Sequence, residues 1–215
     1  AQSSDSRPVQ FSLLAAYMES KNYAKALGIA ERIHQEAPND PSPLNFLGAI
    51  HAATGALEKS RMAFSRALEL QPDSIATKLN LANLGLRESR PLRARTLYRE
   101  ILDHDPEHLV ALSALSKLEQ AQGNTAAARE LLKEAVAAHP KALQARLRLA
   151  RIYLAEGDSD KALRLFAEMQ KNNPNDPKLL AILGKIQLAA ADAANARRIF
   201  ENLVRVSPDN ANAHY

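Results

Sequence analysis

His104 and His108 stand four residues apart, the spacing at which one helical face can offer two imidazoles to a metal ion. Pro106 lies between them and would break that face, so the pair reads as two polar histidines in a turn. Arg87, Arg90, Arg93, Arg95 and Arg99 form a cluster that could hold phosphate or an anionic polymer. The default expectation is a solvated outer helix face, paired with Glu88 and Glu100. Catalytic chemistry is harder to find. The chain has no cysteine, which excludes a disulfide framework, a thiol nucleophile and a thiolate metal site. No glycine-rich phosphate loop, nucleophile elbow or HExxH motif occurs, and nothing sets a base beside a nucleophile. The residues predict a protein that is not an enzyme and holds no metal or cofactor.

A site here must therefore be a binding surface, and composition says which elements present it. The 215 residues are 46% hydrophobic and 24% charged, the balance of a folded soluble chain. Aromatics are only 5%, tryptophan is absent, and alanine and leucine dominate, which favours helix over strand. No apolar run approaches the roughly 20 residues needed to cross a bilayer. The net charge of +4 arises entirely from residue 109 onward, where 15 basic face 11 acidic residues; residues 1–108 carry 13 of each. That excess is modest, and no aromatic platform is interleaved with it, so a nucleic-acid ligand is not expected.

The chain repeats itself. Pro38, Pro72, Pro106, Pro140, Pro174 and Pro208 stand 34 residues apart. Leu13, Leu47, Leu81, Leu115, Leu149 and Leu183 keep the same step, as do Ala26, Ser60, Ala94, Ala128, Ala162 and Ala196. A bulky column holds Phe64, Tyr98, Phe166 and Phe200, completed by Leu132 and Ala30. Between these columns the pattern is that of two helices. Leu147, Leu149, Ala150, Tyr153 and Leu154 mark one stripe, Gly157 and Asp158 interrupt it, and Ala162, Leu163, Leu165 and Phe166 begin another. Gly55, Gly123 and Gly157 share a turn position where positive φ is expected. All eleven prolines fall in turns or first helical turns.

These columns resemble the tetratricopeptide repeat, a 34-residue helix–turn–helix unit. Counted so that each proline is position 32, the repeats are 7–40, 41–74, 75–108, 109–142, 143–176 and 177–210. Residues 1–6 form a polar lead, and 211–215 look like the opening of a seventh repeat. The family's small residue at position 8 is met by Gly48, Ala82, Ala150 and Gly184, and missed by Leu14 and Ser116. The position-11 aromatic survives as Tyr17 and Tyr153 only, and the position-4 tryptophan is missing throughout. The resemblance implies an all-α, right-handed superhelical solenoid in which each repeat is stabilised by its neighbours. The lack of a polar capping helix reads as a segment of a longer array; a natural end with a frayed half-repeat is the other reading.

The resemblance also implies a concave groove lined by the first helix of each pair, chiefly at positions 2, 5, 9, 12 and 13. Position 9 reads Ala15, Ala49, Asn83, Lys117, Arg151 and Lys185, so Lys117, Arg151 and Lys185 form a cationic ridge following Asn83. Arg148 and Lys178 lie near it in register, and Leu79, Leu86, Leu147, Leu154 and Leu188 supply apolar contact at positions 5 and 12. Such a surface suits an acidic peptide with apolar anchors. Charge placed there for solubility alone is the competing reading. The chaperone-tail mode of related proteins needs a lysine at position 5, where this chain has Phe11, Asn45, Leu79, Ser113, Leu147 and Ala181, so that partner is disfavoured.

Segments such as residues 43–50 and 139–147 are similar in wording to long bacterial tetratricopeptide proteins of exosortase (PEP-CTERM) exopolysaccharide systems. This likeness implies a scaffold in envelope export or sorting machinery, in the periplasm or cell envelope; a cytoplasmic address fits the absence of cysteine as well. Two other functions stay open: direct binding of an anionic polysaccharide by the ridge with the repeat-3 arginines, and an accessory domain of a larger enzyme.

Overall fold

The computed structural model describes residues 6–208, so the expected start of a seventh repeat at 211–215 lies outside the described residues. Every described element is helical: α1 Arg7–Glu19, α2 Tyr23–Glu36, α3 Pro41–Ala53, α4 Leu57–Leu70, α5 Ile75–Arg87, α6 Pro91–His104, α7 Leu109–Ala121, α8 Thr125–Ala138, α9 Leu143–Ala155, α10 Ser159–Arg164, α11 Ala167–Asn172, α12 Pro177–Ala189 and α13 Ala193–Val206. The chain divides into two units, Ala1–Ala111 and Leu112–Tyr215.

Two kinds of turn alternate, and each has a local cause. After the second helix of a pair, proline sits at the second position of a β-turn, where its fixed φ is already correct. The closing bonds are Asp40 N–H to Ala37 O (3.1 Å), Ser74 to Gln71 (3.1 Å), His108 to Asp105 (3.1 Å), Ala142 to His139 (2.9 Å) and Asp176 to Asn173 (3.3 Å). After the first helix the chain passes through the left-handed region. Gly55, Gly123 and Gly157 take φ of +83°, +82° and +79°, as expected, and Lys21, Ser89 and Ala191 do the same at 57°, 57° and 59°. The next residue then reaches back across the turn, as in Asn22 N–H to Tyr17 O (2.8 Å) and Asp192 N–H to Gln187 O (2.9 Å), which satisfies otherwise orphaned carbonyls. Aspartates cap four of the following helices: Asp40, Asp158, Asp176 and Asp192 accept from Ser42, Lys161, Lys178 and Asn195 N–H at 2.9, 3.0, 2.8 and 3.1 Å.

Within a pair the helices touch through a small residue set against a large one. Ala26, Ser60, Ala94, Ala128, Ala162 and Ala196 are fully buried, and the Ser60 hydroxyl donates to Gly48 O at 2.8 Å across the pair. A methyl group on Gly48 would lie 2.5 Å from the Phe64 ring, and one on Gly184 2.6 Å from Phe200. The two departures at position 8 are compensated. Leu14 is opposed at position 24 by Ala30, both fully buried in one cluster, so volume has moved from one helix to the other. Ser116 is answered by the intermediate-sized Leu132, also fully buried.

Two features depart from the 34-residue pattern. Leu13 is 44% exposed, whereas Leu47, Leu81, Leu115, Leu149 and Leu183 are buried. Leu47 packs with Ala30 and Ile33 of the preceding α2, and Leu183 with Phe166 of the preceding pair, but among the described residues no helix precedes α1. The second helix of the fifth pair is also not continuous: it breaks between α10 and α11. At the break Arg146 Nη1 donates to Leu165 O, a carbonyl that an unbroken helix would offer to the Met169 N–H. The same guanidinium holds Pro140 O through Nε (3.0 Å) and Nη2 (2.8 Å).

Ala191→Gly should raise the unfolding free energy by about 0.5–1 kcal/mol, since relief of the left-handed penalty exceeds the added unfolded-state freedom. Gly48→Ala should lower it by about 1–3 kcal/mol, and Phe64→Leu in the same chain should recover part of the loss. Urea unfolding of the three variants checks both.

Candidate functional site

In the second unit, α9 and α12 lie side by side and enclose a cavity of about 250 Å³ lined by Leu147, Ala150, Arg151, Leu154, Ile182, Lys185 and Ile186. Helical spacing puts residues 147, 150, 151 and 154 on one face of α9, and 182, 185 and 186 on one face of α12. The floor is apolar: Leu147, Leu154 and Ile182 are half-buried against a core that holds Ala150, Phe166, Leu183 and Ile186. Arg151 and Lys185 are exposed at the rim, and no carboxylate lines the space. Four of the sequence-expected site residues thus meet at one place: Leu147, Arg151, Leu154 and Lys185.

Arg148, also on α9, does not line the cavity and reaches toward α7. Its Nη1 donates to Ser113 O at 2.7 Å, while its buried Nη2 has no hydrogen-bond partner. Burial pushes this guanidinium below its ordinary pKa and the neighbouring Arg151 pushes the same way. It remains a cation at neutral pH.

The other expected residues are not gathered into this cavity. Lys117 is exposed on α7, Lys178 is exposed in the first turn of α12, and Leu188 is half exposed further along α12. Leu79, Leu86 and Asn83 belong to the first unit. Asn83 is tied down, because its Oδ1 accepts the hydroxyl of the fully buried Tyr98 at 2.9 Å. Burial raises the pKa of that phenol, so the bond keeps its proton. Ala150, Ile182 and Ile186 were missed by groove positions alone; helical spacing from Leu147 and Lys185 would have reached them.

Several of the remaining polar groups make structural contacts. Arg87 Nη1 donates to Ala52 O at 2.7 Å, and Glu88 pairs with Arg61 at 3.3 Å and Arg90 at 3.8 Å. Glu100 does not serve the arginine cluster; it pairs at 3.2 Å with Lys78, which is 7% exposed. A buried ammonium demands a carboxylate more strongly than an exposed guanidinium does, so Lys78 takes it. His104 Nε2 lies 4.0 Å from Asp73 Oδ1, and His108 Nδ1 accepts the Ala111 N–H at 3.2 Å, where it caps the start of α7.

Residues 119–186 match the sequence model of the tetratricopeptide repeat family. No curated protein is detectably similar in sequence to the chain. Among solved structures, it is similar to a tetratricopeptide repeat protein from Parabacteroides merdae, with 21% identity and TM-score 0.66 over 95% of this chain and 81% of that one. PilF of Pseudomonas aeruginosa superposes with TM-score 0.73 at 14% identity over 96% and 94%. YrrB, described as a tetratricopeptide protein with an unusual peptide-binding site, gives 0.60 at 19% over 86% and 95%. These likenesses establish the fold, a helical solenoid, and with the matched segment they support the tetratricopeptide repeat family.

Because His108 is a cap, His108→Ala should cost about 1 kcal/mol of stability and His108→Asn should cost little. Zinc should leave the melting temperature of the wild-type chain unchanged. Thermal unfolding with and without the metal checks both expectations.

Proposed function

We propose that this chain, with the tetratricopeptide fold, is a noncatalytic scaffold that binds a peptide segment of a partner protein in the space between α9 and α12. The carrying observation is the 250 Å³ cavity, with an apolar floor and Arg151 and Lys185 at its rim. An apolar side chain of the partner would fill the floor, and a flanking aspartate or glutamate would meet the rim cations. Lys117, Lys178 and Leu188 would extend that contact along the first helices, and Leu79, Asn83 and Leu86 would serve the first unit in the same way. Peptide binding by a structure of the same fold, YrrB, supports the reading.

The setting we assign is bacterial envelope machinery for exopolysaccharide export or protein sorting, on the wording of the repeats. That placement is a proposal from resemblance, as are the six repeat boundaries. An anionic polysaccharide on the same cations is the competing ligand, and an accessory role within a larger enzyme is compatible with the same groove.

Fluorescence anisotropy decides between the ligands. A labelled peptide with one leucine flanked by glutamates should bind saturably, and Arg151→Glu with Lys185→Glu should weaken it about tenfold or more without loss of helicity. Replacing the leucine by serine should weaken it by a similar factor. Equal binding by wild type and charge-reversed protein would reject the cavity as the site. Preference for oligouronate over peptide would move the assignment to polysaccharide.

A further inference from the structure

The second unit carries another pair of cavities, lined mainly by the helices that complete each pair, with Leu180, Leu183 and Gln187 contributed by α12. One, of about 490 Å³, is lined by residues that include Gln170, Asn175, Arg198, Asn202 and Arg205. The other, of about 300 Å³, includes Arg164, Gln170, Gln187, Asn195 and Arg198. Gln170, Arg198 and Ile199 line both, so the two form one cleft running beside α13. Its opposite wall holds residues from both sides of the α10–α11 break: Leu163 and Arg164 before it, Ala167 and Gln170 after it.

The charge of the cleft is lopsided. Three guanidinia, Arg164, Arg198 and Arg205, face a single carboxylate, Glu201, which lies 3.5 Å from Arg197 outside the cleft. Among the described residues the Arg198 guanidinium forms no hydrogen bond or ion pair. The Asp192 carboxylate is held by the Asn195 Nδ2 at 2.7 Å and N–H at 3.1 Å, which lower its pKa, and the charge of Arg198 adds a smaller push the same way. Among the described residues the Arg205 side chain bonds to the neutral Asn202, at 2.7 Å.

The spacing gives the ligand a form. Asn195, Arg198, Asn202 and Arg205 recur at three- and four-residue steps, which places them in one stripe along α13. Ten residues of helix rise about 15 Å, the length of four or five residues of extended chain. Guanidinium forks match carboxylates in a plane, and amide side chains such as Gln170 and Gln187 can pair with peptide N–H and C=O groups. No aromatic ring lines either cavity, so the stacking surface that sugar rings favour is missing.

We infer that the cleft between α10–α11 and α13 is a second binding site, which takes an extended acidic peptide segment of a partner protein. Carboxylates alternate along that segment to meet Arg198 and its two flanking arginines. The site is separate from the α9–α12 cavity, so one chain can hold two partners at once.

The test is a titration of the whole chain with a labelled peptide of alternating glutamate and serine, lacking any large apolar residue. Saturable one-to-one binding is expected, and raising salt from about 50 to about 300 mM should weaken it several-fold, because the cleft is open to solvent. Arg198→Ala with Arg205→Ala should lower affinity about tenfold, with the helical spectrum unchanged, whereas Arg151→Ala with Lys185→Ala should change it less than about twofold. The glutamine counterpart of the peptide should not bind. Three results would overturn the inference: no saturation, a loss confined to the Arg151 and Lys185 variant, or tighter binding of an oligouronate than of the peptide.

Discussion

The fold depends on one steric constraint: the two helices of each pair approach so closely that their facing positions share a fixed volume. Gly48 and Gly184 leave no room for a methyl group beside Phe64 and Phe200. Glycine inside a helix costs about 1 kcal/mol relative to alanine, and burial of a phenylalanine offsets that with about 1.5–3 kcal/mol. The constraint fixes a sum, not a residue. Leu14 with Ala30 and Ser116 with Leu132 satisfy it with other partitions, which is why strict motif matching scored those positions as losses. Once the pair is closed, the face that remains for binding is set by helical geometry alone.

Much of this was legible in the sequence because it is local or periodic. The proline turns, the left-handed positions and the small column all follow from residue type at a fixed step, and the helices begin at residues 7, 41, 75, 109, 143 and 177, each one step apart. Leu13 shows where periodicity stops informing. A repeat pattern says which face a residue occupies, but burial also needs a neighbour, and α1 has none before it among the described residues. The candidate site was legible to the same degree. Register put Leu147, Arg151, Leu154 and Lys185 on facing helices, but it could not say that a cavity would open between them.

What the sequence hid were the choices made by long polar side chains. Position 4 of successive periods reads Gln10, Leu44, Lys78, Leu112, Arg146 and Leu180, so leucine alternates with a polar chain. Gln10 and Lys78 are buried like the leucines, and Arg146 reaches two carbonyls. Lys78 removes Glu100 from the arginine cluster, and Arg146 bonds Leu165 O where the helix is interrupted. A lysine or arginine can span several ångströms in many rotamers, so its partner is fixed only when all competing groups are in place.

The candidate surfaces then follow from where the repetition fails. A perfect array would present the same face in every period and would offer a ligand no preferred register. Here α9 and α12 carry cations over an apolar floor, and the interrupted helix of the fifth period lines a cleft rich in arginine beside α13. Both lie in the unit that carries the net positive charge, where fewer carboxylates are present to neutralise the arginines from within. Folding needs the shared volume of each pair and tolerates variation elsewhere. That tolerance is what leaves individual periods free to differ in charge and helix continuity, and so to choose a ligand.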